Sequence, residues 1–235
     1  MRIPLVALAL LLLFGCITVE YTHVQHRDGT VTITQEIDFT SIIEYMESNG
    51  DEELENFTRD LSESCANITR RDPSAQCEYR DGSVLLAKDY FPGEFYTFES
   101  RDDFVHRKYK LTVFSLPEIS NESDTALSTG EDWEPPLLGS DEAAEDAVGM
   151  RFMGFEWYYT VEMPGEITSA PGALSVEKST ARFDTLEFME QKKTIVVESE
   201  ELNWLFVLAY GLLAIFIVVF LAFIAMMLMK KRKGR

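Results

Sequence analysis

The sequence predicts an α+β fold, a mainly antiparallel sheet with a short helical insert, plus one C-terminal transmembrane helix. Three observations predict it. Most segments between Ile17 and Glu198 alternate apolar with polar residues, the period of a half-buried strand. The period turns helical between Thr40 and Ser64. Leu205 to Met229 then runs 25 residues without a charge, at ~1.5 Å per residue enough to cross a hydrocarbon core of ~30 Å with some tilt.

Charge is segregated as sharply as hydropathy. The 235-residue chain has 40 acidic against 21 basic residues, a net charge of −19; every acid lies between Glu20 and Glu201. That stretch would repel phosphates, so no nucleic-acid partner is expected.

Arg2, the apolar run Ile3–Phe14 and Gly15-Cys16 read as a secretory signal, residues 1–15, too short to span a bilayer. Leu13-Phe14-Gly15-Cys16 has the layout of a lipidation site, with cleavage before an acylated Cys16; ordinary cleavage nearby with a free Cys16 thiol is the other reading. Residues 16–203 form the outer domain, 204–229 the spanning helix and 230–235 a basic tail. Trp204 stands at the interface position, and Lys230-Lys231-Arg232-Lys233 put the C-terminus on the cytoplasmic side. The expected location is therefore the cell membrane, single-pass, with the N-terminal domain outside.

Within that domain Ile17–Gln25 and Val31–Phe39 flank an Asp28-Gly29 turn, a hairpin signal. Val31, Ile33, Ile37 and Phe39 share one side of the second strand. Thr40–Glu47 and Asp51–Ser64 form the helical insert, the latter with Leu54, Phe57 and Leu61 on one face. Strands are expected at Glu78–Arg80, Val84–Phe91, Glu94–Glu99 and Phe104–Leu116. Residues 117–150 carry ten acids, no bases and three prolines and are expected to be a mobile acidic loop, with a helical turn or two at Asp141–Val148. Phe155, Trp157, Tyr159, Val161 and Met163 mark the clearest strand, followed by Arg182–Phe188 and Thr194–Glu198. The last pattern stops within seven residues of Leu205, so the domain has no long stalk.

Of three cysteines, acylation of Cys16 leaves Cys65 and Cys77 as a disulfide pair in an oxidising location. Asn56-Phe57-Thr58, Asn67-Ile68-Thr69 and Asn121-Glu122-Ser123 are candidate glycosylation acceptors. His23, His26 and His106 read as surface or packed residues; the first two fall on opposite sides of a strand, which suits a metal poorly. Nucleophile elbows, zinc motifs and phosphate loops are missing from the sequence, so neither catalysis, metal nor cofactor is expected. Phe152–Tyr159 with Phe91, Phe95, Tyr96 and Phe98 reads as sheet core, a groove for an apolar ligand being the functional alternative. Arg101, Arg107, Lys108 and Lys110 form a basic patch that faces anionic headgroups, the acidic loop or solvent.

The Gly15-Cys16 start, the Asp28-Gly29 hairpin with Val31-Thr32-Ile33-Thr34, the segment around Met163-Pro164-Gly165-Glu166-Ile167-Thr168 and Ala181-Arg182-Phe183-Asp184 before a terminal span resemble the LppM-type membrane-anchored lipoprotein domain family. The cysteine-bearing insert and the acidic loop depart from it. The resemblance implies a membrane-tethered α+β domain with a lipid-related role and no catalytic residues. The reading is a domain that binds an envelope lipid, glycan or neighbouring protein near the bilayer. The alternative is an accessory subunit contacting a membrane-protein partner through the spanning helix, where Tyr210-Gly211, Ala222 and Ala225 offer small residues.

Overall fold

The computed structural model describes residues 17–48, 54–117, 141–152 and 154–233. The signal segment, Cys16, Asn121 and residues 118–140 of the expected loop lie outside the described residues. The fold is α+β with two mostly antiparallel sheets.

β1 (Thr18–Gln25) and β2 (Val31–Asp38) pair antiparallel across the Asp28-Gly29 turn. Gly29 has φ +96°, and the Asp28 carboxylate accepts from the Thr30 backbone N–H at 3.0 Å, the side-chain closure that makes Asp a turn former. α1 (Thr40–Ser48) and α2 (Leu54–Arg71) are the insert. α2 runs past the expected end at Ser64 because its apolar stripe does not stop there: Phe57, Leu61, Cys65 and Ile68 continue the four- and three-residue spacing into the core.

β3 (Gln76–Arg80) and β4 (Ser83–Tyr90) complete one side of the first sheet, whose order is β3-β4-β2-β1-β7-β10-β9. There β7 (Glu156–Glu162) lies parallel to β1, while β10 (Thr180–Asp184) and β9 (Ser175–Glu177) follow antiparallel. The second sheet has the order β5-β6-β11-β8, from β5 (Tyr96–Asp102), β6 (His106–Val113), β11 (Ile195–Leu202) and β8 (Glu166–Ser169).

The expected strand Arg182–Phe188 is half strand and half helix. Asp184 accepts from the Glu187 N–H at 3.1 Å and caps α4 (Thr185–Glu190), which satisfies a first-turn amide. The turn buries Leu186, Phe188 and Met189 together, which an extended chain cannot do because alternate side chains point apart. α4 packs on α3 (Asp141–Phe152), so the last part of the expected acidic loop is helical; Arg151 of α3 pairs with Asp184 and Glu190 at 3.2 and 2.7 Å.

One continuous core joins the inner faces of both sheets, with Ile33, Tyr159, Val161 and Phe183 from the first meeting Tyr96, Tyr109, Leu111 and Ile195 from the second. Helix α2 covers the β3–β4 side and is tied down by the Cys65–Cys77 disulfide, with a Cα–Cα distance of 5.0 Å. A loop of that size contributes about 3 kcal/mol by restricting the unfolded chain.

β11 is longer than the sequence suggests and leads, through Asn203 alone, into α5 (Trp204–Lys233). Among the described residues one helix is long and apolar enough to cross a membrane, Trp204–Ile224, with mean hydropathy 3.0 and no part of it buried in the protein. The β1–β2 turn, the β5–β6 hairpin tip and the β7–β8 corner all converge where α5 leaves. We call this the basal end.

Candidate functional site

A cleft of about 240 Å³ opens at the basal end, lined by Arg27, Arg107, Glu201, Leu202, Asn203, Trp204 and Leu205. Arg27 comes from the β1–β2 turn, Arg107 from the start of β6, and the rest from the junction of β11 with α5. Glu201 organises it. Its carboxylate accepts from Arg27 Nη2 at 2.6 Å and from the Tyr109 hydroxyl at 2.6 Å, and its side chain is 16% exposed. Burial, and then the bond to Glu201, raise the Tyr109 pKa, so this phenol stays a donor.

The two arginines differ. Arg107 makes a two-point pair with Asp102, one arm through Nε and the other from Nη2 at 3.1 Å. This bond is also the first cause lowering the Asp102 pKa. Arg27 spends one N–H on Glu201, and its side chain remains 68% exposed, so most of its fork faces solvent. A planar guanidinium with free donors suits phosphate or carboxylate oxygens. Leu202, Leu205 and the Trp204 ring supply an apolar wall beneath, the mixed environment an interfacial Trp occupies.

The sequence-predicted basic patch divides between the two faces of the second sheet. Arg107 shares the inner side with Tyr109 and Glu201, whereas Arg101, Lys108 and Lys110 are exposed on the outer side. Lys108 pairs with Asp103 at 3.0 Å and Lys110 with Glu198 at 3.7 Å; Arg101 has no ion pair among the described residues. The alternation Arg107, Tyr109, Leu111, Val113 carries the signal that separates Arg107 from its neighbours. Arg27 and Glu201, 174 positions apart, carry no local signal of their meeting.

Among the described residues the aromatic set is sheet core, as expected, and not a groove. Tyr21 stacks on Trp157 and Tyr159 at 5.9 and 6.1 Å, and Phe98 on Tyr109 at 5.6 Å; of this set Phe91 is left 65% exposed. Asn56 and Asn67 stand on the solvent side of α2, each accepting from an arginine three residues on, Arg59 and Arg70. His26 and His106 are not buried, and His26 bonds Thr32.

His23 is fully buried. Gln25 donates from Nε2 to the carbonyls of His26 and Thr30 at 3.2 and 3.0 Å, which leaves its Oε1 to accept from His23 Nε2 at 3.0 Å. His23 Nδ1 therefore accepts from the Tyr159 hydroxyl at 2.8 Å. Burial, the dominant cause, lowers the His23 pKa to about 4, against an opposing contribution from Gln25. This neutral chain of bonds fixes the turn that carries Arg27. Among the described residues no group of three or more His, Cys, Asp or Glu is placed to hold a metal ion.

No family model and no curated protein match this chain. Among solved structures it is similar to the folded domain of the Mycobacterium tuberculosis LppM protein, determined by NMR. The identity is 10% and the TM-score 0.31, over 81% of this chain and 92% of that one. The resemblance read from the sequence thus extends at most to a distant fold relationship, and it assigns no residue a role.

Proposed function

We propose that this is a single-pass membrane protein of the cell surface whose folded domain, on the outer side, binds the phosphate-bearing headgroup of an envelope lipid in the basal cleft. The observation that carries the reading is the position of the cleft: its floor is the first turn of the helix able to span the membrane, so its arginines stand at headgroup height. The basic run Lys230–Lys233 supports a cytoplasmic C-terminus and hence an outer domain. In an acidic domain, Arg27 is a cation with donors to spare beside that surface. α5 serves as anchor, and the single residue Asn203 between β11 and α5 keeps the domain from drifting away from its ligand.

Native mass spectrometry of the full chain, released gently from its own membranes, tests this. The expected result is a retained lipid adduct that is lost when Arg27→Ala is combined with Arg107→Ala. An adduct that survives both substitutions rules out the cleft. A retained protein in place of lipid supports the accessory-subunit reading, in which α5 makes the functional contact.

A further inference from the structure

We propose that the tip of the β5–β6 hairpin, Phe104-Val105, is a second membrane contact that inserts into the outer leaflet beside α5. Phe104 is 72% exposed and Val105 47%, unusual for adjacent apolar residues at the tip of a hairpin flanked by charges. Their surroundings say what covers them. The Phe104 ring meets the Phe206 ring edge-on, with centroids 6.1 Å apart, and Phe206 is in the first turn of α5. At ~1.5 Å rise per residue Phe206 lies about 3 Å below Trp204, so Phe104 sits at the depth where the apolar span begins.

The tip is held there rather than left to swing. The Asn203 N–H donates to the Val105 carbonyl at 2.7 Å, and the Asp103 N–H to the His106 carbonyl at 2.8 Å. Charges beside it are paired off: Asp102 with Arg107, and Asp103 with Lys108. Such a tip can approach a bilayer with these four flanking charges paired, while Arg101, further up β5, stays at headgroup height with the long reach of its side chain. The occupant is therefore the acyl and glycerol layer of the leaflet itself, continuous with the lipid around α5. Two contacts, helix and tip, fix the tilt of the domain and hold the cleft open towards headgroups. The inference rests on α5 spanning the membrane, but not on the cleft binding a particular lipid.

The test replaces one residue at a time by photoreactive p-benzoylphenylalanine in the full chain: Phe104, Phe216 in the middle of α5, or Val148. Val148 is 60% exposed on α3, by β10 and α4 at the end of the domain away from the tip. The chain is reconstituted in phosphatidylcholine vesicles with radiolabelled acyl chains and irradiated. Comparable label at 104 and 216, with background at 148, is the expected result. Label at 216 but not at 104 overturns the proposal and leaves the spanning helix intact. Equal label at 104 and 148 also overturns it, because the tip is then no different from any exposed apolar residue. Loss of label at 216 overturns the spanning helix and this proposal together.

Discussion

Replacing Gly165 by alanine is expected to destabilise the folded domain by about 3 kcal/mol. The left-handed backbone costs an L-residue ~1–2 kcal/mol and overpacking ~1–3 kcal/mol. Gly165 has φ +85° at the β7–β8 corner, and an added Cβ would collide with the Glu200 carbonyl oxygen, lie 2.7 Å from its carbon and 2.9 Å from Glu201 Cβ. The obstacle is the backbone of β11, paired with β6 on one side and β8 on the other, so it has nowhere to move. Gly93→Ala is the control: φ is +102° and nothing stands within 4 Å, so only the conformational part is lost, roughly 1–2 kcal/mol. Urea unfolding of the full chain in detergent, followed through the sheet signal, compares them. Equal losses at the two positions would mean that the corner does not press on β11. Because Glu201 follows the crowded carbonyl, Gly165→Ala should also loosen its bond to Arg27.

The second large effect is a fall in stability as the pH drops from about 6.5 to about 4, of roughly 3 kcal/mol. Its source is His23, whose folded-state pKa is depressed to about 4. Between the two values the unfolded chain takes up a proton that the native chain refuses, so stability rises with pH there. The contribution is complete above the unfolded value, is lost on acidification, and stops changing once the folded state is protonated too. Asp28, Asp72, Asp102 and Asp103 all have pKa values lowered below the ordinary carboxylate range, through bonds to Thr30, Ser74, Arg107 and Lys108 respectively. Their contributions are lost below pH ~4, below the window in which His23 acts. Unfolding titrations across pH are the measurement. His23→Gln, which keeps a polar group but cannot titrate, should lower stability near pH 7.5 and flatten the slope between 6.5 and 4. A slope unchanged in that variant would place the acid sensitivity elsewhere.

These two positions also show what a sequence discloses. The β1–β2 hairpin, the strand at Trp157, the disulfide pair and the terminal apolar helix are all legible because each rests on a local rule: a turn residue, an alternation, a count, a length. α4 was hidden because six residues are too few for a period, and its start depends on the Asp184 cap and on burial of Leu186, Phe188 and Met189. The end of β11 lies beyond the expected strand, which stops at Glu198, because the acidic run Glu198–Glu201 shows no apolar alternation. In the fold, Ser199 within it is buried and Glu201 is a cleft residue with two partners. β8 is held by pairing with the distant β11, and β9, paired with the adjacent β10, is only three residues long, too short for an alternation to show. Parallel pairing of β1 with β7, and the meeting of Arg27 with Glu201, are products of topology. His23 reads from the sequence only as surface or packed; its burial depends on a network with Tyr159 that spans 136 positions.

The central claim is that the helix leaves the domain at the bilayer surface, with the cleft at headgroup height. Fluorescence quenching by lipids brominated at different depths tests it most directly, in vesicles carrying the full chain, comparing wild type with Trp204→Phe. The account predicts that the quenching lost in the variant is strongest for bromines near the headgroup and weak for those near the chain end. Loss that is strongest at the chain end, or no difference between the two proteins, would contradict it.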